Sequence, residues 1–216
     1  MSIEPCGRGV FITLEGGEGA GKTTALKSIH DRLVGLGHAV VVTREPGGTP
    51  FGERLREILL HAKEIEITSD AETLMMFAAR AEHVRRVIEP ALVQGKVVLC
   101  DRFTDATYAY QGGGHGVAAE RIAVLENWVQ GALRPDLTLL FDVPVDTGLT
   151  RTAGRNVAPD RFESRRKDYL ERVRQTYLKR AAQEPARIKI IDASSSMQAV
   201  ERRALDLVSE FFDARR

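Results

Sequence analysis

Five short apolar runs rich in β-branched residues punctuate the chain, at 10–14, 38–43, 96–100, 137–143 and 188–191. Their apolar character is nearly continuous instead of alternating, which is the pattern of parallel strands covered on both faces. Helical stretches separate them. Residues 23–36 place Leu26, Ile29, Leu33 and Leu36 at spacings of three, four and three, so one stripe is expected to face a core. Residues 71–94 and 118–133 follow the same period. Strand and helix in alternation predict a doubly wound, five-stranded parallel α/β sheet with helices on both faces, whose ligand sites lie at the carboxyl ends of the strands. The residues that follow three of the runs fit that expectation. They are Glu15-Gly16-Gly17, Arg44-Glu45-Pro46-Gly47-Gly48 and Asp101-Arg102-Phe103, where charge and glycine replace the apolar run. No internal repeat, low-complexity tract or Ser/Pro/Gly linker divides the chain, so residues 1–216 read as one domain. The polar, helix-poor segment 152–159 reads as a flap.

Composition narrows the class. With 216 residues, 43% hydrophobic and 28% charged, the chain has the make-up of an ordinary globular domain, and no window approaches the roughly 18 apolar residues of a membrane span. Lys plus Arg number 31 against 30 for Asp plus Glu, a net charge of +1, which disfavours a polycation built to coat nucleic acid. The basic run Arg165-Arg166-Lys167 sits among Glu163, Asp168 and Glu171, the composition of a solvated face. No nucleic-acid or membrane partner is expected. Cys6 and Cys100 are too few for a disulfide framework, and the opening MSIEPCGRG has neither the charged nor the apolar region of a secretory signal, so the cytoplasm is the expected compartment. His30, His38, His61, His83 and His115 lack metal-ligand spacing.

The most specific chemical signal is Gly16-Gly17-Glu18-Gly19-Ala20-Gly21-Lys22-Thr23, which satisfies G-x-x-x-x-G-K-[ST] between a strand and an amphipathic helix. Glycines let the backbone wrap a phosphate with its N–H groups inward, and the helix start adds the positive end of its dipole. Lys22 is expected to reach the β and γ phosphates of a nucleotide, and the Thr23 hydroxyl to hold Mg²⁺. Such a loop serves GTPase switches, ATPase motors and small-molecule kinases alike. Neither Asn127 nor Asn156 begins the N-K-x-D element of a guanine switch, and Asp101 is followed by Arg102 where a motor would place a second carboxylate.

Three further cations point to a second anion. Arg44 and Arg102 follow strands and Arg80 lies on the long helix between them, more positive charge at one edge than a single triphosphate requires. A guanidinium fork suits phosphate. An acceptor such as a nucleoside monophosphate carries about −1.5 to −2 at neutral pH, so its oxygen is already anionic and needs no general base. The task left to the protein is to bring two anions together.

The ordered set GGEGAGKTT at 16–24, TREPGGT at 43–49, LMMFAAR at 74–80, DRF at 101–103, YQGGG at 110–114, RPDLTLLFDV at 134–143 and DRFE at 160–163 resembles the thymidylate kinase family in its bacterial form, through most of the chain. The resemblance implies ATP-dependent phosphorylation of dTMP to dTDP in dTTP synthesis, with Mg²⁺, in a homodimer. It also implies that the nucleotide-binding loop extends to Thr24. Glu18 would approach the acceptor sugar 3′-hydroxyl, and Arg44, Arg80 and Arg102 would hold the acceptor phosphate. Arg56 would lie near the thymine edge, Thr107 and Gln111 would contact the base, and Tyr110 would sit beside the sugar. Phe77 or Met76 would pack on the base: the family's aromatic commonly stands four residues before the arginine, and here that position is Met76. His115 stands where an arginine is frequent and is given no role. A lid at about 151–163 would supply a catalytic arginine, Arg155, with Arg151 and Arg161 as alternatives. A kinase for another nucleoside monophosphate and a non-catalytic nucleotide-dependent regulator are the remaining alternatives.

Overall fold

The computed structural model describes residues 8–61, 65–153 and 167–215. All five expected strands are present: β1 (Phe11–Gly16), β2 (Val40–Arg44), β3 (Val97–Asp101), β4 (Leu137–Asp142) and β5 (Ile188–Asp192). They form one parallel sheet in the order β2-β3-β1-β4-β5. The helices are α1 (Lys22–Gly35), α2 (Pro50–His61), α3 (Ser69–His83), α4 (Glu89–Val93), α5 (Thr104–Thr107), α6 (Ala119–Gln130), α7 (Val145–Ala153), α8 (Lys167–Gln183) and α9 (Met197–Asp213).

Side-chain alternation along β1 divides the interior, because successive residues of a strand point to opposite faces. Ile12 and Leu14 join Ala25, Ile29 and Leu33 of α1 and Val200, Ala204 and Leu207 of α9 in a core on one face. Phe11 packs on the other with Val84, Ile88, Leu92 and Phe103. Farther along that face, Leu140 and Ile188 meet Tyr169, Val173 and Tyr177 of α8. The α1 stripe is one residue short of its sequence pattern. Leu36 lies past the helix end and is half exposed, while Ala25 fills the corresponding inner position. Strand β2 departs from the expectation of coverage on both faces: it is one of the two edge strands, and Val42 is exposed.

The stretch expected as one helix over 71–94 is three segments, α3, a π-helical turn at Val84–Ile88, and α4. A second π-helical turn, Tyr108–Gly114, continues α5. The second of these turns carries Tyr110 and Gln111 to the carboxyl edge of the sheet, a placement in keeping with the frequency of such turns at functional sites.

Candidate active site

The loop that leaves β1 is shaped by two close approaches. A Cβ at Gly16 would lie 2.2 Å from the Phe141 carbonyl oxygen, and one at Gly19 would lie 2.5 Å from that of Gly148. Glycine at both positions lets the loop nest against β4 and α7. Lys22, at the first position of α1, is buried and its Nζ donates to the carbonyls of Gly16 and Gly17 at 3.0 and 2.7 Å. Burial and the neighbouring Arg102 cation pull its pKa below the usual lysine range. An arriving polyanion would reverse that penalty.

A cleft of about 700 Å³ opens at the carboxyl edge of β1, β2 and β3. Residues 18–24 of the loop form one wall, so Glu18, Gly19, Ala20, Gly21, Lys22, Thr23 and Thr24 all face it. Gly16 and Gly17 do not line it. Their carbonyls hold Lys22 and their backbone borders a smaller hollow beneath α7. Arg44, Arg56 and Arg80 also line the cleft, from β2, α2 and α3, and Arg102 lines it beside the loop, bonded to Gly16 and Glu18.

Arg44, Arg80 and Arg102 each have a carboxylate partner that the sequence alone did not assign. Arg80 is 2% exposed, and its Nε donates to Glu45 at 2.7 Å while Nη2 donates to the Thr107 hydroxyl at 3.0 Å. Its Nη1 is buried without a partner among the described residues, which leaves one donor for an anion. The second Glu45 oxygen lies 2.9 Å from His83 Nδ1, and His83 Nε2 lies 2.6 Å from the Thr43 hydroxyl. Arg44 pairs with Glu53 at 3.0 Å, and Arg56 donates to the Pro46 carbonyl at 2.8 Å. Glu45 and Pro46 are joined by a cis peptide bond. A buried guanidinium requires such partners; the signal that pointed to Glu45 was its place beside Arg44 in TREPGGT.

Arg102 adopts φ 68°, a left-handed conformation that costs on the order of 1 kcal/mol in a non-glycine residue. Its guanidinium reaches back across β1, donating to the Gly16 carbonyl at 3.0 Å, the Tyr177 hydroxyl at 3.2 Å and the Glu18 carboxylate. It lies 4.9 Å from the centre of the Tyr110 ring. Behind it Glu15 is fully buried, accepting from Tyr177 and from the Phe103 backbone N–H, each at 2.7 Å. Burial, reinforced by the Asp105 carboxylate, pushes Glu15 up to about 8.

Of the two adjacent residues left open by the sequence, one faces the cleft. Met76 lines it with Leu60 and Ala106. Phe77 does not, which corrects its inclusion among the substrate-binding residues. It is 2% exposed and packs with Val117 and Ile122, because α6 lies across that side of α3. Its ring supports Arg80, whose guanidinium carbon lies 4.7 Å from the ring centre. Thr107, Tyr110 and Gln111 all line the cleft.

Arg151, in the last turn of α7, borders the cleft. It donates to the Ala193 carbonyl at 2.7 Å and to that of Gly19 at 3.4 Å, bracing the loop against the turn after β5. Arg155, Arg161 and the DRFE motif lie outside the described residues. For a divalent cation the fit rests on Asp101. Its Oδ1 is buried without a partner among the described residues, and Asp101 shares the cleft with Thr23. Hard oxygen donors of this kind suit Mg²⁺, which keeps waters and phosphate oxygens as its other ligands.

A family profile described as "Thymidylate kinase" matches residues 14–204. The chain belongs to the thymidylate kinase family. A curated thymidylate kinase from Pseudomonas entomophila is 58% identical over 194 residues, 90% of this chain and 92% of that protein. The thymidylate kinase of Pseudomonas syringae pv. tomato is 53% identical over 208 residues, 96% of this chain and 99% of its own length. The crystal structure of thymidylate kinase from Ehrlichia chaffeensis superposes with a TM-score of 0.75 at 32% identity, covering 94% of this chain and 99% of that one. Membership of the thymidylate kinase family accounts for a phosphate loop and a separate arginine-lined pocket in one cleft.

Proposed function

We infer that this chain transfers the γ-phosphoryl group of ATP to dTMP, giving dTDP and ADP in dTTP biosynthesis. The observation that carries this reading is the single cleft that the phosphate loop shares with Arg44, Arg80 and Arg102, on a chain of the thymidylate kinase family. The donor phosphates lie along residues 18–24, with the loop N–H groups and Lys22 on their oxygens. The acceptor phosphate is held by the three arginines, and its oxygen attacks without a general base. At an effective dielectric near 20, unit charges 4 Å apart repel by about 4 kcal/mol, and phosphoryl transfer is catalysed chiefly by positioning and charge neutralisation. The cations of the cleft perform that neutralisation.

Glu18 orients Arg102 and meets the sugar 3′-hydroxyl. Met76 packs on the base with its polarizable sulfur, Arg56 lies at the base edge with Thr107 and Gln111, and Tyr110 closes the sugar side. Thr23 and Asp101 would hold Mg²⁺, which when bound neutralises charge between the β and γ phosphates. Arg155 is the lid arginine for the transferring group, on the strength of the family resemblance. We place the protein in the cytoplasm as one domain.

An assay of ADP release against dTMP, dUMP, dCMP, dGMP and dAMP tests the function. Turnover is expected to be fastest with dTMP and to stop when EDTA removes the metal. Faster turnover with another monophosphate would assign a different acceptor, and ATP binding without turnover would favour a regulator.

The homodimer reading is supported by the outer face of α3 and α6, where Leu74, Val124 and Trp128 are 55%, 67% and 82% exposed. Such a patch meets a second copy of itself across a two-fold axis. Light scattering is expected to give twice the 23.9 kDa chain mass, and Trp128→Glu to give the monomer. A monomeric parent protein would refute this assignment.

A further inference from the structure

Resting on the reading that Gln111 meets the acceptor base, we propose that Glu72 is a positioning residue that sets pyrimidine specificity by fixing which end of the Gln111 amide faces the cleft. Glu72 is fully buried on α3 and does not line the cleft, so it has no route to the substrate itself. It stands one helical turn before Met76, and residues four apart share a helix face. Gln111 comes from the π-helical turn on the other side of the pocket and is 1% exposed. Its Nε2 donates to Glu72 Oε1 at 2.9 Å. His115 Nε2 lies 3.2 Å from the same oxygen without hydrogen-bond geometry, which leaves the Gln111 amide as that oxygen's donor from the 108–115 segment.

A carboxylate only accepts hydrogen bonds, whereas an amide carries a donor end and an acceptor end. Because the amide is planar, turning its nitrogen toward Glu72 turns its carbonyl oxygen away, toward the remaining space. A carbonyl in that position accepts from a base whose ring nitrogen N3 carries hydrogen, as in thymine and uracil. It opposes the bare N3 of cytosine, lone pair against lone pair. Discrimination of this kind is strong because the wrong base leaves a buried polar group unpaired. Glu72 thus selects for an imide-bearing pyrimidine, and the 5-methyl group that separates dTMP from dUMP is read elsewhere.

The test is steady-state turnover of dTMP, dUMP and dCMP by the parent enzyme, Glu72→Gln, Glu72→Asp, Gln111→Ala and the Glu72→Gln/Gln111→Ala pair. Glutamine at 72 both donates and accepts, so the Gln111 amide is released to turn over. The kcat/KM preference for dTMP over dCMP is expected to fall about tenfold in Glu72→Gln, through KM and not kcat, with the dTMP to dUMP ratio unchanged. Glu72→Asp, still an acceptor only, retains the preference. In the Gln111→Ala background the change at 72 adds nothing further. An unchanged dTMP to dCMP ratio in Glu72→Gln, alongside its loss in Gln111→Ala, would overturn the proposal while leaving Gln111 as a base contact. So would equal losses in the Gln and Asp variants. An unchanged ratio in Gln111→Ala would instead remove the base contact, and the proposal with it.

Discussion

Lys22→Ala is expected to slow phosphoryl transfer from ATP to dTMP by about 10³-fold, the scale seen when one preorganised charge donor is removed from a transfer site, while dTMP still binds. The two effects separate because Lys22 stands on the loop, whereas Arg44, Arg56 and Arg80 come from β2, α2 and α3 and keep their own partners when the lysine is lost. Stability is expected to hold. The lysine is a buried cation whose charged form is disfavoured by its surroundings, and its removal leaves the Gly16 and Gly17 carbonyls accessible to water from the open cleft. Single-turnover kinetics measures the first effect, calorimetric titration with dTMP the second, and a melting curve the third. Loss of dTMP binding together with transfer would show that the loop and the arginines do not divide the substrates as described.

Arg80→Met has the opposite profile, damaging fold and acceptor binding together. It strands the Glu45 carboxylate, which is 5% exposed, with His83 as its remaining side-chain partner. Removing one member of a buried ion pair costs about 3–5 kcal/mol, or roughly 10 °C in melting temperature for a domain of this size. Adding Glu45→Gln to Arg80→Met is expected to recover part of that stability without restoring turnover at low dTMP. Urea unfolding and KM measurements on the single and double variants follow the two properties. A single variant as stable as the parent would mean that Glu45 finds another partner, and full recovery of turnover in the double variant would deny Arg80 its role on the acceptor.

The pattern of apolar runs was sufficient for the five strands because each is short, nearly unbroken and bounded by charge or glycine. It could not tell the sheet edge from its interior: β2 is as β-branched as β3, and only the strand order makes Val42 an exposed residue. The break between α3 and α4 carries no glycine to mark it, and Pro90 sits inside α4 where the turn has already passed. Helix α2 went unread between two motif segments. At the site, the phosphate loop and the arginines were legible because their residue types are specific to phosphate. Their partners were less so, since Glu45, Glu53 and Glu15 acquire meaning only from residues 35, 9 and 162 positions away, respectively. Met76 and Phe77 show the same limit at the smallest scale. Both lie within a turn of Arg80, and the packing of α6 against α3 decides which of them is buried in the core.

The strand order has a consequence for how such a protein can change over time. Arg44, Arg56, Met76, Arg80, Arg102, Thr107 and Gln111 all precede β4, and they attach to the half of the sheet built from β2 and β3. Arg151 and Met197 come from the half built from β4 and β5. The loop after β1 belongs to both, and α8 ties them further, its Tyr177 hydroxyl accepting from Arg102 and donating to Glu15. A lineage that remakes its acceptor preference does so within one contiguous stretch of gene, but under the constraint that Arg102 and Tyr110 keep their fit to Tyr177 and Tyr169 of α8 in the other stretch, while residues 16–24 answer to both reactants.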